Sequence, residues 1–235
     1  ASSGRMPLPD DCEIPDPLDL LAYLAAVTER IVLATGMLVM PHHHPLVLAK
    51  RLATLDVLSA GRVRLGVGVG WMEEELQATG IDFATRGRRT DEIIDAMRVT
   101  WREDESTYVG RFFEFSRVRS YPKPVQVGGV PIHIGGHSAA AARRAGRLGD
   151  GFQPLGLDAE SLPQRMDVLR ATAERYGRDP ASIELSLGGH VSQVDRAAVE
   201  AARELGAERM VISTASADLD TLRNEMDEFA RRVIG

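Results

Sequence analysis

The segment IGGHSAAAARR, Ile134 to Arg144, joins an apolar, strand-like end to an alanine-rich helix through Gly135, Gly136, His137 and Ser138. Main-chain N–H groups at the start of a helix have no partner within it and lie at the positive end of the helix dipole, so such a turn suits a phosphate. Ser138 is also a good N-cap residue. Two readings follow: a phosphate-binding turn, or a turn in which Ser138 only caps its helix and the glycines only allow the bend. A second interruption, at Thr35 and Gly36 within IVLATGMLVM (Ile31 to Met40), falls at the carboxyl end of an apolar run, where parallel barrel enzymes place their sites. A plain strand end is the competing reading there.

The third stretch is RVRLGVGVGWMEEE, Arg62 to Glu75. Val63, Leu65, Val67 and Val69 alternate with Arg64, Gly66, Gly68 and Gly70, a period of two that predicts a strand. Glycine weakens a strand unless another group must come close. These glycines, ending at Gly70, therefore mean either tight packing inside a barrel or a flat ligand against the main chain. His42, His43 and His44 are consecutive and do not converge on one ion from a turn, so no metal is expected. His44, before Pro45, reads as a pocket-lining or a solvated loop residue. His133 points to the opposite side of its strand from Ile132 and Ile134 and has no assigned role. Cys12 is the only cysteine, which excludes an internal disulfide; Asp10, Asp11 and Glu13 beside it disfavour a reactive thiolate.

The elements that must position these residues alternate. After an irregular, Pro- and Asp-rich start over Ala1 to Pro17, a helix is predicted from Pro17 to Arg30, then the strand Ile31 to Met40 and a helix from Pro45 to Ala60 stopped by Gly61. The glycine strand is followed by a helix over about Gly87 to Arg102, with Ile94, Met97 and Trp101 on one stripe. Ser106 to Phe115 predicts two short strands around Gly110, and Tyr121 to Gln126 is a proline-stiffened connector; together they read as an insertion over residues 103–126. Alternation resumes with strands at Ile132 to Gly135, Gly151 to Pro154, Ile183 to Val191 and Met210 to Ser213. Their helices are Ser138 to Leu148, Glu160 to Tyr176, Arg196 to Leu205 and Leu219 to Val233. Six strand and helix pairs in one domain imply a parallel sheet, two strands short of a closed (β/α)8 barrel. An open doubly wound sheet is the runner-up, but it lacks the glycine fingerprint in its first turn.

Composition bounds the function. A chain of 235 residues, 44% hydrophobic and 26% charged, fills one globular α/β domain. Its net charge of -6 argues against a nucleic-acid partner. No apolar run reaches the roughly 18 residues of a membrane span, and none is flanked like a signal peptide, so a cytoplasmic protein is expected.

Ala34 to Trp71, Arg86 to Glu92 (RGRRTDE), Tyr121 to Gln126 (YPKPVQ) and Pro131 to Gly156 resemble, in order, the luciferase-like flavin or deazaflavin oxidoreductases, in particular those that use coenzyme F-420. The resemblance implies a TIM-type (β/α)8 barrel, usually a homodimer, with the cofactor ring at the carboxyl ends of the strands. It implies a bulge at Thr35 and Gly36, often with a non-prolyl cis peptide, under one face of the ring, and the cofactor phosphate at Gly135, Gly136, His137 and Ser138. Gly70 completes the expected cofactor contacts. In that family the second strand normally ends in an Asp-His or similar pair that touches the ring, and those residues are not in this sequence. Trp71 stands where sugar-phosphate-oxidising relatives have an acid, so the catalytic residues are unassigned.

The expected activity is hydride transfer between the deazaflavin and an organic substrate. The alternatives are an FMN-dependent monooxygenase of the same fold and a non-catalytic ligand-binding barrel. Apolar residues on two sides of the Pro45 to Ala60 helix, with the Pro17 to Arg30 helix beside it, predict a homodimer. The strand count predicts that the natural polypeptide carries roughly 40 to 60 more residues ahead of Ala1, enough for the first strand, first helix and second strand.

Overall fold

Asp16 starts the first helix, α1 (Pro17–Val27): its carboxylate accepts from the N–H groups of Leu18 at 2.9 Å and Asp19 at 3.1 Å, and Pro17 supplies the preset φ of a first helical residue. In the computed structural model the described residues are 11–154, 156, 161–214 and 218–235. The irregular start expected over the first ten residues and the helix start expected at Glu160 lie outside them. The chain forms two compact units, divided after Ile132.

In the first unit the apolar run after α1 is two short strands, β1 (Leu33–Ala34) and β2 (Leu38–Val39), and a helix α2 (Pro45–Leu58) follows. The glycine strand is β3 (Val63–Gly68), which β1 and β2 both join in parallel. Val63, Leu65 and Val67 are buried, as the alternation requires. Beyond β3 lie α3 (Glu73–Ala78) and α4 (Arg86–Arg102), with Ile94, Met97 and Trp101 buried as one stripe; the Trp101 indole N–H donates to the Ala49 carbonyl at 3.0 Å. The insertion is an antiparallel hairpin, β4 (Ser106–Val109) and β5 (Glu114–Val118). Glu92 of α4 holds its turn, accepting from the main-chain N–H groups of Arg111, Phe112 and Phe113 at 3.1, 2.8 and 2.7 Å. The connector after it has a cis peptide between Tyr121 and Pro122. It is fixed by Asp56, a fully buried carboxylate on α2 that accepts from Val125 N, Gln126 N and Gln126 Nε2.

α2 buries Leu48, Ala49, Leu52, Ala53 and Leu55 while Val47, Val57 and Leu58 stay exposed, so its apolar character does run round the helix. Its N-cap is His44, whose ring nitrogen accepts from Leu46 N at 3.3 Å. His42 instead meets Thr79 at 2.9 Å and Glu75 at 3.5 Å. His43 is packed inward, and burial, reinforced by the nearby His42 and Arg51, pulls its pKa below the ordinary 6.5 against the opposing pull of Asp16. The unfolded chain therefore takes up this proton first, so the stability His43 contributes is complete above pH 6.5 and is lost as pH falls through the lowered folded value. Urea denaturation from pH 7.5 to 5.5 should show the parent losing stability relative to His43→Asn over that interval.

The second unit holds four parallel strands in sequential order: β6 (Ile132–Gly135), β7 (Gly151–Gln153), β8 (Glu184–His190) and β9 (Arg209–Ser213). The helices between them are α5 (Ala139–Leu148), α6 (Ser161–Arg175) and α7 (Arg196–Glu204), and α8 (Leu219–Phe229) follows β9. α5 and α6 pack closely because Gly146 has no side chain: a Cβ there would lie 2.4 Å from the Leu169 carbonyl oxygen. Arg178 closes the far end of α5, donating to the carbonyls of Ala145, Gly146 and Gly149. His133 is opposite Gly151, and its ring fills the space that the missing Cβ leaves. α8 buries none of its residues and leaves a cavity of about 370 Å³ lined by Val191, Ile212, Met226 and Phe229 among others. No helix among the described residues is long and apolar enough to cross a membrane.

Candidate functional site

Two groups of predicted site residues are assembled, one in each unit. In the first, β1 pairs Leu33 with Val63 and Ala34 with Arg64, whereas β2 pairs Leu38 with Val67 and Val39 with Gly68. From Ala34 to Leu38 is four steps and from Arg64 to Val67 is three, so one extra residue bulges out of the β1–β2 line. That bulge is Thr35 to Met37, and the Gly36–Met37 peptide is cis. The plain strand end is thereby ruled out. Thr35 is buried and its hydroxyl donates to the Gly66 carbonyl at 2.7 Å, pinning the bulge to β3; Gly36 is exposed, and a Cβ on it would meet nothing within 4 Å.

The three glycines of this stretch differ in their surroundings. Gly66 is a packing glycine, because a Cβ there would sit 2.1 Å from the Thr35 carbonyl oxygen and 2.8 Å from the Met37 sulfur. Gly68 makes only ordinary contact, 3.7 Å from Met37 Cβ. Gly70 has φ +80°, a left-handed conformation that L side chains rarely adopt, and it turns the chain towards α3 between Val39 and Leu76. Trp71, just beyond, is 46% exposed.

In the second unit Gly135 ends β6, Gly136 turns with φ +118°, and its N–H donates to the Gln153 carbonyl at 3.2 Å. Ser138 is the N-cap of α5, its hydroxyl oxygen accepting from Ala141 N at 3.1 Å. The capping reading is correct as far as it goes. The cap uses one N–H of the first turn, and those of Ala139 and Ala140 have no acceptor within the helix. His137 and Ser138 are exposed. Arg165 of α6, which sequence reasoning did not single out, donates from Nε to the His137 carbonyl at 2.9 Å and so brings a guanidinium to this turn. It stands 28 residues away in sequence with no local pattern to mark it.

The first group offers a bulge with open space at Gly36, and the second a helix start with a guanidinium beside it. Among the described residues no group of three or more His, Cys, Asp or Glu side chains is placed to hold a metal ion. A profile of the luciferase-like monooxygenases matches residues 3–233. The chain belongs to the luciferase-like monooxygenase family. Among its relatives in this family, an uncharacterized protein of Mycobacterium tuberculosis is 41% identical over 184 residues, covering 75% of this chain and 64% of that protein. An FMNH2-dependent dimethylsulfone monooxygenase of Pseudomonas putida is 31% identical over 188 residues, 79% of this chain and 50% of its own length. The chain thus spans only part of the length of both. An F-420-dependent secondary alcohol dehydrogenase, solved with an F-420–acetone adduct, superposes with a TM-score of 0.82 at 19% identity, over 96% of this chain and 86% of the other. That likeness carries the fold: a parallel α/β chain of the luciferase-like TIM-barrel kind.

Proposed function

We propose that the protein is an oxidoreductase that binds coenzyme F-420 through Thr35, Gly36, Gly70, Gly135, Gly136, His137 and Ser138 and transfers hydride between the deazaflavin and an organic substrate. The observation that supports a planar redox cofactor is the bulge between β1 and β2, pinned to β3 by Thr35 and open at Gly36. When bound, the cofactor supplies the hydride chemistry, and the protein's share is orientation and exclusion of water. Thr35 and Gly66 hold the bulge rigid, and Gly70 lets the chain turn away. Ser138 fixes the start of α5, whose Ala139 and Ala140 N–H groups, with Arg165, would hold the cofactor's phosphate. A second copy of the chain is the proposed partner, on the exposed apolar residues of α1 and α2.

The F-420 reading rests on the sequence segments from Ala34 to Gly156. The second reading, an FMN-dependent monooxygenase, is favoured by the 31% identity to the dimethylsulfone enzyme, whose name states that cofactor. Titration of the purified protein with oxidised F-420 and with FMN, followed by fluorescence and absorbance, separates them. F-420 is expected to bind more tightly, and Ser138→Ala should weaken it about tenfold while lowering stability by about 1 kcal/mol through the lost cap. Parental cofactor affinity in that variant removes the turn from the site, and binding of neither cofactor rejects the function.

A further inference from the structure

Arg86 and Arg89 lie three residues apart on the first turn of α4, so they share one face of the helix at its positive end. Neither is on the open surface. The Arg86 guanidinium stacks on Phe83, with Cζ 3.6 Å from the ring centre, and one Nη1–H donates to the Phe83 carbonyl at 2.7 Å. Arg89 stacks on Phe113 at 4.7 Å and Phe112 at 5.8 Å, the two rings presented by the hairpin turn. Phe113 in turn meets His44, the first residue of the turn into α2, edge-on at 5.4 Å. Arg89 is therefore one ring away from the loop that leaves the carboxyl end of β2.

Stacking occupies the faces of these guanidinium groups and leaves their N–H edges. Among the described residues the Nε atoms of both arginines are buried and have no hydrogen-bond partner. Two acids that flank the pair are committed elsewhere: Asp82 accepts from Ala84 N at 2.9 Å, and both oxygens of Glu92 take hairpin N–H groups. Two partly buried cations at the positive end of a 17-residue helix oppose one another and the dipole. An oxyanion seated between their forks would offset both and supply acceptors for the idle donors.

We propose that Arg86 and Arg89 bind a carboxylate, sulfonate or phosphate group carried by the organic substrate. This deepens the oxidoreductase reading and rests on it. Sulfate is the probe, titrated into cofactor-free protein at an ionic strength held constant with sodium chloride, with binding heat and melting temperature recorded. In the Ser138→Ala background, which weakens the other oxyanion candidate, saturable sulfate binding is expected to persist. Adding Arg86→Gln or Arg89→Gln should weaken it at least about tenfold. Unchanged sulfate affinity in the arginine variants, or no saturable binding before they are introduced, overturns the site. Should Arg89→Gln fail to fold, Arg89→Lys keeps the charge and stem but not the fork: weaker sulfate binding supports the site, and parental affinity rejects it. Titration of the same variants with F-420 and FMN fixes the source of the anion. Unchanged cofactor affinity is expected, and a loss parallel to that of sulfate assigns the oxyanion to the cofactor and overturns the substrate assignment. Sulfate binding by a protein that takes up neither cofactor keeps the anion site and rejects the oxidoreductase reading.

Discussion

Asp56→Ala is expected to lower the stability of the protein by about 3 kcal/mol, read as a shift of the urea midpoint at unchanged slope. Asp56 is fully buried on α2, and three donors converge on it: Val125 N at 2.8 Å, Gln126 N at 3.1 Å and Gln126 Nε2 at 2.7 Å. The same Gln126 amide also donates to the Val63 carbonyl at 2.9 Å, so the carboxylate ties the connector to α2 and, through Gln126, to the start of β3. Removing it strands donors that were bonded to a charge, and a methyl group replaces no part of their partner. Asp56→Asn is the informative companion. It keeps the volume but presents one acceptor and one amide donor to a set of donors, so it should recover at most about half of the loss. An alanine variant within about 0.5 kcal/mol of the parent would show that water replaces the carboxylate.

The signal for that residue was present in the sequence and has a physical form: a single acid within the apolar run LATLDVL on a helix that buries most of its circumference. Element identity was legible for a related reason along most of the described chain, though the single strand expected over Ile31 to Met40 is two, β1 and β2, and α3 was not expected. Helix starts are written in local chemistry, Asp16 before Pro17 and Ser138 before the alanines, and strands in a period of two, so α1 began where its cap required and β3 buried its valines. Ends were less legible. α1 stops at Val27 rather than Arg30, because Thr28 turns to extended backbone and its hydroxyl donates to the Leu24 carbonyl at 2.5 Å. Arg62 then closes that end, donating to the carbonyls of Ala25, Thr28 and Ile31.

The candidate site divides along the same line. The break at Thr35 and Gly36 was visible as two polar or small residues in an apolar run. What it packs against was not, since pairing with β3 is a contact between residues some thirty positions apart. Arg165 beside His137, and Arg89 beside the hairpin rings, are long-range in the same sense. Spacing within a segment reveals which atoms are available; which of them meet depends on how segments pack.

Gly66→Ala should be the most damaging single methyl group that can be added to β3, and it tests the bulge directly. Strand β3 tolerates side chains of full size at Val63, Leu65 and Val67, so the glycine is not there for want of strand propensity. The added Cβ would lie 2.1 Å from the Thr35 carbonyl oxygen, a main-chain atom that moves only if the bulge moves, and 2.8 Å from the Met37 sulfur. Thr35 cannot retreat without losing the bond from its hydroxyl to the Gly66 carbonyl, so the two constraints act on one residue in opposite directions. Overpacking against main chain belongs at the upper end of the usual range, about 3 kcal/mol. Gly68→Ala is the control. Its Cβ would meet only Met37 Cβ, at 3.7 Å, and its cost should stay below about 1 kcal/mol because alanine also narrows the unfolded ensemble. Urea midpoints of the two variants decide between the readings of this strand. A large loss at Gly66 with a small one at Gly68 makes the first glycine a packing residue and leaves the second beside open strand. Equal, small losses would mean that the bulge yields freely and does not fix the main chain on which the proposed ring site depends.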